Sequence, residues 1–376
     1  MVGPEQLRDS RIYVDGVFDL IHWGHLNALR QSHELGGKVV VGVVSDEETN
    51  RAKGIYPIYS QEERAELVKG CKWVDDAIVG TPYDVSLNFL HNVAKCDVVA
   101  HGDDIAIGSS GKDCYEEPKN AGKFVYFKRS CGVSTSTTLF RLIEALESER
   151  FSHLGELERG ISVDFEQCLR RNEEEMINEG FLEEDNETKR TIRYPRCCMS
   201  ANLFGKFIPN IPRPPNGRIV YVDGSFDVFH NGHLRLLEKA KAMGDYLVVG
   251  IYDDQTVRTL KGSPFPFTNL LDRALIVSAM KYTDDLILGA PYIITRSFIK
   301  TMGITLVVAG TSDDNSLIRK KLNPHKDPKE LGIMHYIDSG SSTTSMDIIK
   351  RVSKRMKHIR ENISNRYKRE KMNGTH

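Results

Sequence analysis

Two histidines, His22 and His25, flank Gly24 in the stretch "VDGVFDLIHWGHLNAL", residues 14–29. About two hundred residues later "VDGSFDVFHNGHLRLL", 222–237, repeats the pattern with His230 and His233. An apolar strand, a turn and a helix start in that order present unpaired backbone N–H groups and the positive end of a helix dipole, which suits a phosphate. Gly24 has no Cβ, so a phosphate can come close to the backbone there. At i and i+3 of a helix start the two imidazoles point to one side. They can donate hydrogen bonds to a phosphoryl group and to the charge that develops on it. A zinc site is a poor reading, because no third or fourth ligand has suitable spacing.

Those histidines need elements to hold them, and the repeat supplies the outline. Asp15, Gly16, His22, His25, Lys53, Gly102 and Gly132 align at an offset of 208 with Asp223, Gly224, His230, His233, Lys261, Gly310 and Gly340. Between Lys53 and Gly102 the offset is 209, so Arg64 aligns with Arg273. This is a duplication at domain scale, since a solenoid has a period of roughly 20–50 residues. Within each copy, buried runs such as "RIYVDG" and "KVVVGVV" alternate with helical patterns such as "SQEERAELVKG", where Ser60 and Glu63 form a capping box. Continuous apolar strands alternating with helices predict an α/β fold, two tandem Rossmann-like domains with parallel sheets. The expected boundaries are 1–148 for the first domain, 149–217 for a linker, 218–356 for the second domain and 357–376 for a basic tail. The linker is charged, then proline-rich; it predicts a helix near 160–178 and disorder around 180–195.

With 376 residues, 40% hydrophobic and 27% charged, the chain has room for two globular domains. A net charge of −1 argues against nucleic acid as the main partner. No apolar leader opens the chain, and no run reaches the ~18 apolar residues of a membrane span. Seven scattered cysteines fit reduced thiols in the cytoplasm. The basic C-terminal stretch reads as a solvated helix end, or as a weak contact with a membrane surface such as the endoplasmic reticulum. Packing of the two domains on each other is expected, and a homo-oligomer is left open.

The motifs resemble those of the cytidylyltransferases, in the wider HxGH nucleotidyltransferase superfamily. "GVFDLIHWGH" fits the G-x-F-D-x-x-H-x-G-H signature, and "RSCGVSTST", 129–137, is similar to R-T-x-G-[IV]-S-T-[ST]. Lys53 in "RAKG" and Glu63-Arg64 also fall where that family has counterparts. The tandem layout and "VVAHGDDIAIG", 98–108, are similar to the ethanolamine-phosphate members rather than to the one-domain choline type. The resemblance implies an enzyme of phosphatidylethanolamine synthesis. It would take CTP with Mg²⁺ and phosphoethanolamine, and give CDP-ethanolamine and pyrophosphate. The implied catalytic set is His22, His25, Lys53 and Arg129. Nucleotide contacts would come from Gly16, Phe18, Gly24, His25, Lys53, Arg64, Gly102, Asp103 and Arg129, with Ser134, Thr135, Ser136 and Thr137 at the β- and γ-phosphates. Asp19, Asp46 and Asp104 are candidates for the substrate, since a primary ammonium suits carboxylates. No resident metal site is expected. Phosphocholine or glycerol-3-phosphate as acceptor, or a protein that binds nucleotide without turnover, are the alternatives.

The second copy keeps His230, His233, Lys261 and Arg273, but Ile337 aligns with Arg129 and Ala309 with His101. Isoleucine cannot replace a bidentate phosphate ligand. The expectation is therefore a catalytic first domain and a degenerate second one.

Overall fold

The computed structural model describes residues 7–104, 106–108, 111–130, 132–147, 201–208, 211–262, 264–311 and 323–372. The β-branched runs form strands β1 (Arg11–Gly16), β2 (Lys38–Val44), β3 (Asp76–Thr81), β4 (Val98–Gly102) and β5 (Phe124–Phe127). They lie in the order β3-β2-β1-β4-β5, every pair parallel. Helices α1 (Trp23–Glu34), α2 (Asp46–Lys53), α3 (Gln61–Lys69), α4 (Glu116–Asn120) and α5 (Thr135–Glu147) connect or follow them. Ser60 and Glu63 form the expected capping box at α3. The strand order reverses between β1 and β4, and the carboxyl ends there are where an open α/β sheet binds ligands.

A short helix, α6 (Ala201–Phe207), leads into the second domain. That domain repeats the first: β6 (Ile219–Gly224), β7 (Tyr246–Ile251), β8 (Asp285–Leu288), β9 (Leu306–Gly310) and β10 (Met334–Ile337) lie in the order β10-β9-β6-β7-β8, all parallel. Its helices are α7 (Asn231–Lys241), α8 (Asp254–Lys261), α9 (Leu270–Ala279), α10 (Arg296–Met302), α11 (Lys326–Glu330) and α12 (Ser345–Met372). The two Rossmann-like domains are as the alternation of apolar strands and helices predicts.

One hydrophobic core runs through both domains, from Leu26, Leu29 and Leu67 to Leu234, Leu275 and Val277. The contact has near two-fold symmetry. Lys72 N donates to Ala279 O and Lys281 N to Gly70 O, each at 2.9 Å. Arg351 grips Glu63 with two bonds of 2.6 and 2.9 Å, and Arg141 pairs with Asp272 at 3.7 Å. Phe207 of α6 is fully buried with its ring against Trp73, and Lys72 Nζ donates to the Phe207 carbonyl. The end of the stretch expected to be a linker is therefore core. Cys71, Cys96 and Cys114 are buried thiols, with burial pushing Cys71 up to about 12 and Cys96 to about 11.

Three expectations need correction or fall elsewhere. From the loop after β9 onward the structural offset between the copies is 210, not 208. Phe127 pairs with Gly102, and Ile337 pairs with Gly310. The counterpart of Arg129 is thus Ser339, and Gly132 and Gly340 are not equivalent; the guanidinium is still lost. Second, the boundary drawn at 356/357 falls inside α12, which runs on unbroken. Ile359 is fully buried and Ile363 packs on the same cluster, so the apolar face of the basic stretch is used inside the molecule. Third, the helix near 160–178 and the disorder around 180–195 lie outside the described residues.

Candidate active site

β1 ends at Asp15 and Gly16, and the chain then turns tightly into α1. Phe18 and Leu20 sit at φ 54° and 45°, and Phe226 and Val228 repeat this at 50° and 49°. Left-handed backbone at bulky residues is strained and persists only where the surroundings over-determine it. Asp19 is what holds it here. Its carboxylate accepts from Ile58 N at 2.9 Å and Tyr59 N at 3.0 Å, and its carbonyl accepts from Thr135 Oγ1 at 3.2 Å.

The turn delivers His22 to the cap position of α1, where Nδ1 accepts from His25 N at 3.3 Å. A ring that accepts at Nδ1 carries its proton on Nε2. That Nε2 is buried and has no hydrogen-bond partner, and the same holds for His25 Nδ1. The two rings stack with centroids 3.7 Å apart, and the Phe18 ring meets His25 edge-on at 5.4 Å. Burial pushes His22 down to about 3, helped by the Arg129 guanidinium. Burial also holds His25 well below its ordinary value, with His22, Lys53 and Arg129 adding to it. Both histidines are neutral at pH 7, and the two cations stand beside them.

The sign of the resulting pH effect is definite. An unfolded histidine takes a proton as pH falls through about 6.5. Folded His22 does not until about 3, nor His230 until about 4, and burial holds His233 well below its ordinary value too. Between these limits the unfolded chain binds more protons, so stability is full above pH 6.5 and falls as pH drops. Asp15 and Asp19, raised by burial, act with the opposite sign near and above the usual carboxylate range. Urea unfolding should therefore show a lower midpoint at pH 5.5 than at pH 7.5. An equal or higher midpoint at pH 5.5 contradicts the neutral, buried state of these histidines.

Arg129 is aimed by acids. Its backbone N donates to Asp103 at 3.0 Å and its Nη1 to Asp104 at 2.5 Å. Gly102 makes room, since a Cβ there would stand 2.6 Å from the Asp104 carboxylate. Lys53 ends α2, and Gly54 follows in the left-handed region at φ 69°. Ser134 caps the first turn of α5 by accepting from Thr137 N at 3.1 Å, with its hydroxyl 2.9 Å from that of Thr137. Ser136 sits half-buried in the same turn. Gly24 serves packing as well as access: a Cβ would stand 2.7 Å from Val133 and 3.0 Å from His22 Nδ1.

The structure thus brings His22, His25, Lys53, Arg129 and the start of α5 to one rim of the sheet. Four other candidates belong to the scaffold. Arg64 is fully buried and donates to the carbonyls of Tyr59, Val17 and Val44 and to Asp46. Asp46 is spent on Arg64 at 2.6 Å and on Gln61 N at 3.3 Å. Asp19 is spent on backbone amides, as above. Phe18 is buried beneath Gly16 and His25. Asp104, expected at the substrate, holds Arg129. A residue outside the expected set is Asp15, nearly buried at the end of β1, which accepts from the Tyr115 hydroxyl at 2.9 Å. The His101 ring lies 4.7 Å from Tyr115. An acidic residue directly after the apolar run Ile12–Val14 in "RIYVDG" was the available signal.

In the second copy His230 and His233 stack at 3.9 Å, and His230 Nδ1 accepts from Gly232 N at 3.1 Å. Asp227 and Arg273 make the same backbone contacts as Asp19 and Arg64. A cleft of about 80 Å³ lies over the pair, lined by Ser339 where the first copy has Arg129.

A family model described as cytidylyltransferase-like matches residues 13–141 and 221–365, one segment in each domain. The ethanolamine-phosphate cytidylyltransferase of Dictyostelium discoideum is 38% identical over 91% of this chain and 90% of its own length. The chain belongs to the cytidylyltransferase-like family, among its ethanolamine-phosphate cytidylyltransferases. The mouse ethanolamine-phosphate cytidylyltransferase is 32% identical over 94% of this chain and 88% of its own. A probable choline-phosphate cytidylyltransferase of Schizosaccharomyces pombe is 39% identical, but over only 37% of this chain. Membership therefore extends over both domains in the ethanolamine-phosphate relatives and over a single domain's length in that choline-phosphate one. Among the described residues no helix is long and apolar enough to cross a membrane.

Proposed function

We propose that the first-domain site transfers the cytidylyl group of CTP to phosphoethanolamine, releasing pyrophosphate. The observation that carries the reading is the stacked, neutral histidine pair, its buried ring nitrogens unpartnered at a helix start between two cations. A phosphate oxygen of phosphoethanolamine attacks the α-phosphorus of CTP. The bond from that phosphorus to the bridging oxygen breaks, and the electron pair leaves with pyrophosphate. His22 Nε2–H and the His25 ring donate to the α-phosphate oxygens as charge builds there. Being neutral already, they need no proton removed and none added. Lys53 and Arg129 hold acceptor and leaving group in line, so the chain contributes position and countercharge rather than a nucleophile. Mg²⁺ would enter with the triphosphate and neutralise its charge. With Asp19 and Asp46 committed elsewhere, Asp15 is the strand-end carboxylate that remains to meet the ammonium group.

The test is product formation by the full chain from CTP and Mg²⁺, with phosphoethanolamine and phosphocholine in parallel. CDP-ethanolamine should form, with phosphocholine turned over about a hundredfold more slowly, because a carboxylate left without its N–H donors discriminates strongly. Preferential CDP-choline formation would sink the acceptor assignment, and no product with either would sink the reaction.

A further inference from the structure

The catalytic lysine sits at the start of an exposed loop. Lys53 is the last residue of α2, Gly54 turns left-handed, and Tyr56 is 50% exposed. In the first domain Asp19 pins the far end of that loop through Ile58 N and Tyr59 N. The second domain holds the near end, from Lys53 to Pro57. Along one face of α12, Arg351, Arg355, His358 and Asn362 follow at spacings of four, three and four, which keeps them on a single helical stripe. Each donates to a backbone carbonyl of the lysine loop, in antiparallel order. Arg351 reaches Ile58 O at 3.2 Å, and Arg355 reaches Pro57 O at 2.7 Å and also Tyr56 O. His358 Nε2 lies 3.2 Å from Gly54 O, and Asn362 donates to Lys53 O at 2.8 Å. Beneath the stripe Ile55 packs with Met356, Ile359 and Ile363. A Cβ on Gly54 would stand 3.3 Å from the Asn362 amide, so the helix runs directly against the hinge.

Among the described residues the arrangement is one-sided, although the domains are near two-fold mates. On the structural offset of 210, α5 of the first domain places Arg141 where α12 has Arg351, and these two make the symmetric ion pairs with Asp272 and Glu63. One turn further α5 has Ala145, which has no side-chain donor, where α12 has Arg355. The second domain's own lysine loop is instead held by an apolar cluster, with Phe265 and Phe267 buried. Among the described residues the basic stripe therefore donates to the first domain's lysine loop.

We propose that α12 is a positioning element for Lys53, and that holding this loop is the contribution of the degenerate second domain to turnover. The proposal rests on the reading of the first domain as the catalytic one. The donors touch main-chain oxygens of the loop, so they are positioning residues. Their effect is on where the Lys53 ammonium stands when charge moves between acceptor and leaving group. A displacement of about 1 Å at such a point costs up to about a hundredfold in rate.

The experiment uses the full chain carrying Arg355→Ala and Asn362→Ala, which leaves the Arg351–Glu63 pair and the buried Ile359 in place. The kcat of pyrophosphate release should fall about tenfold, the KM for CTP should change less than about twofold, and the thermal midpoint should hold. The same pair of substitutions on a Lys53→Ala background should change kcat less than about twofold, because the lysine they position is gone. Wild-type kcat in the Arg355→Ala/Asn362→Ala chain overturns the proposal. So does a further tenfold loss on the Lys53→Ala background, which would place the effect elsewhere in the molecule. Wild-type turnover in Lys53→Ala alone would instead overturn the active-site reading beneath it.

Discussion

A chain carrying His22→Asn and His25→Ala should release pyrophosphate about 10³-fold more slowly than the wild-type protein, with an unchanged unfolding midpoint. Removing a single preorganised donor from such a site costs about 10²–10³ in kcat. Two donors that act as one unit lose less than the product of their separate effects. The choice of asparagine separates two jobs that His22 performs. Its Nδ1 caps α1 by accepting from His25 N, and an asparagine side chain can take that over. Its Nε2–H has no partner among the described residues, and asparagine cannot place a donor that far from the backbone. A loss of activity with the cap retained therefore belongs to the donor. The check is kcat at saturating CTP and phosphoethanolamine beside a thermal melt. A loss smaller than about tenfold contradicts the role given to the pair.

Arg64→Ala should act on the other side of the ledger, lowering stability by about 3–5 kcal/mol, the usual cost of removing one partner of a buried ion pair. The guanidinium joins the three backbone carbonyls of Tyr59, Val17 and Val44 to Asp46, and is fully buried. Truncation leaves those carbonyls without their donor, Asp46 without its cation and a void in the packing. Arg64→Lys should recover little, because an ammonium cannot span acceptors arranged around a planar fork. Urea unfolding decides the matter. A wild-type midpoint with a raised KM for CTP would return Arg64 to the nucleotide; a large fall in midpoint keeps it in the scaffold.

Arg64 also shows where reading the sequence stops. The pattern of strands and helices, the paired domains and the histidine turn were legible, because each rests on local periodicity or on a motif that is its own geometry. Arg64, Asp46 and Asp19 carry charges beside that motif, and charge beside a phosphate motif reads as ligand contact. Apart from the Arg64 bond to Tyr59 O, their side-chain hydrogen bonds run to groups 15 to 47 positions away, which no local pattern reveals. The second copy did hold a hint. Asp227, Asp254 and Arg273 repeat the same three residues in the copy that has Ser339 in place of Arg129, as expected of a scaffold kept when a site decays. The hint was partial, since His230 and His233 are kept as well.

Register failed for a different reason. The loop after β9 differs between the copies, and alignment through Gly132 and Gly340 hid a two-residue shift that strand pairing exposes. From its sequence the basic C-terminal stretch reads as a solvated helix end or a weak membrane-surface contact, because its apolar face looks thin. Its stripe of Arg351, Arg355, His358 and Asn362 becomes meaningful only when the other domain's loop lies against it.

The central claim is that turnover belongs to the first domain and that the second supports it. The most direct measurement is the kcat of pyrophosphate release by a full-length chain carrying His230→Asn and His233→Ala, with a thermal melt on the same sample. The account predicts activity within about threefold of wild type, because these histidines face a cleft whose arginine has become Ser339. A loss approaching the ~10³-fold expected for the first pair, in a protein that still melts at the wild-type temperature, would contradict it.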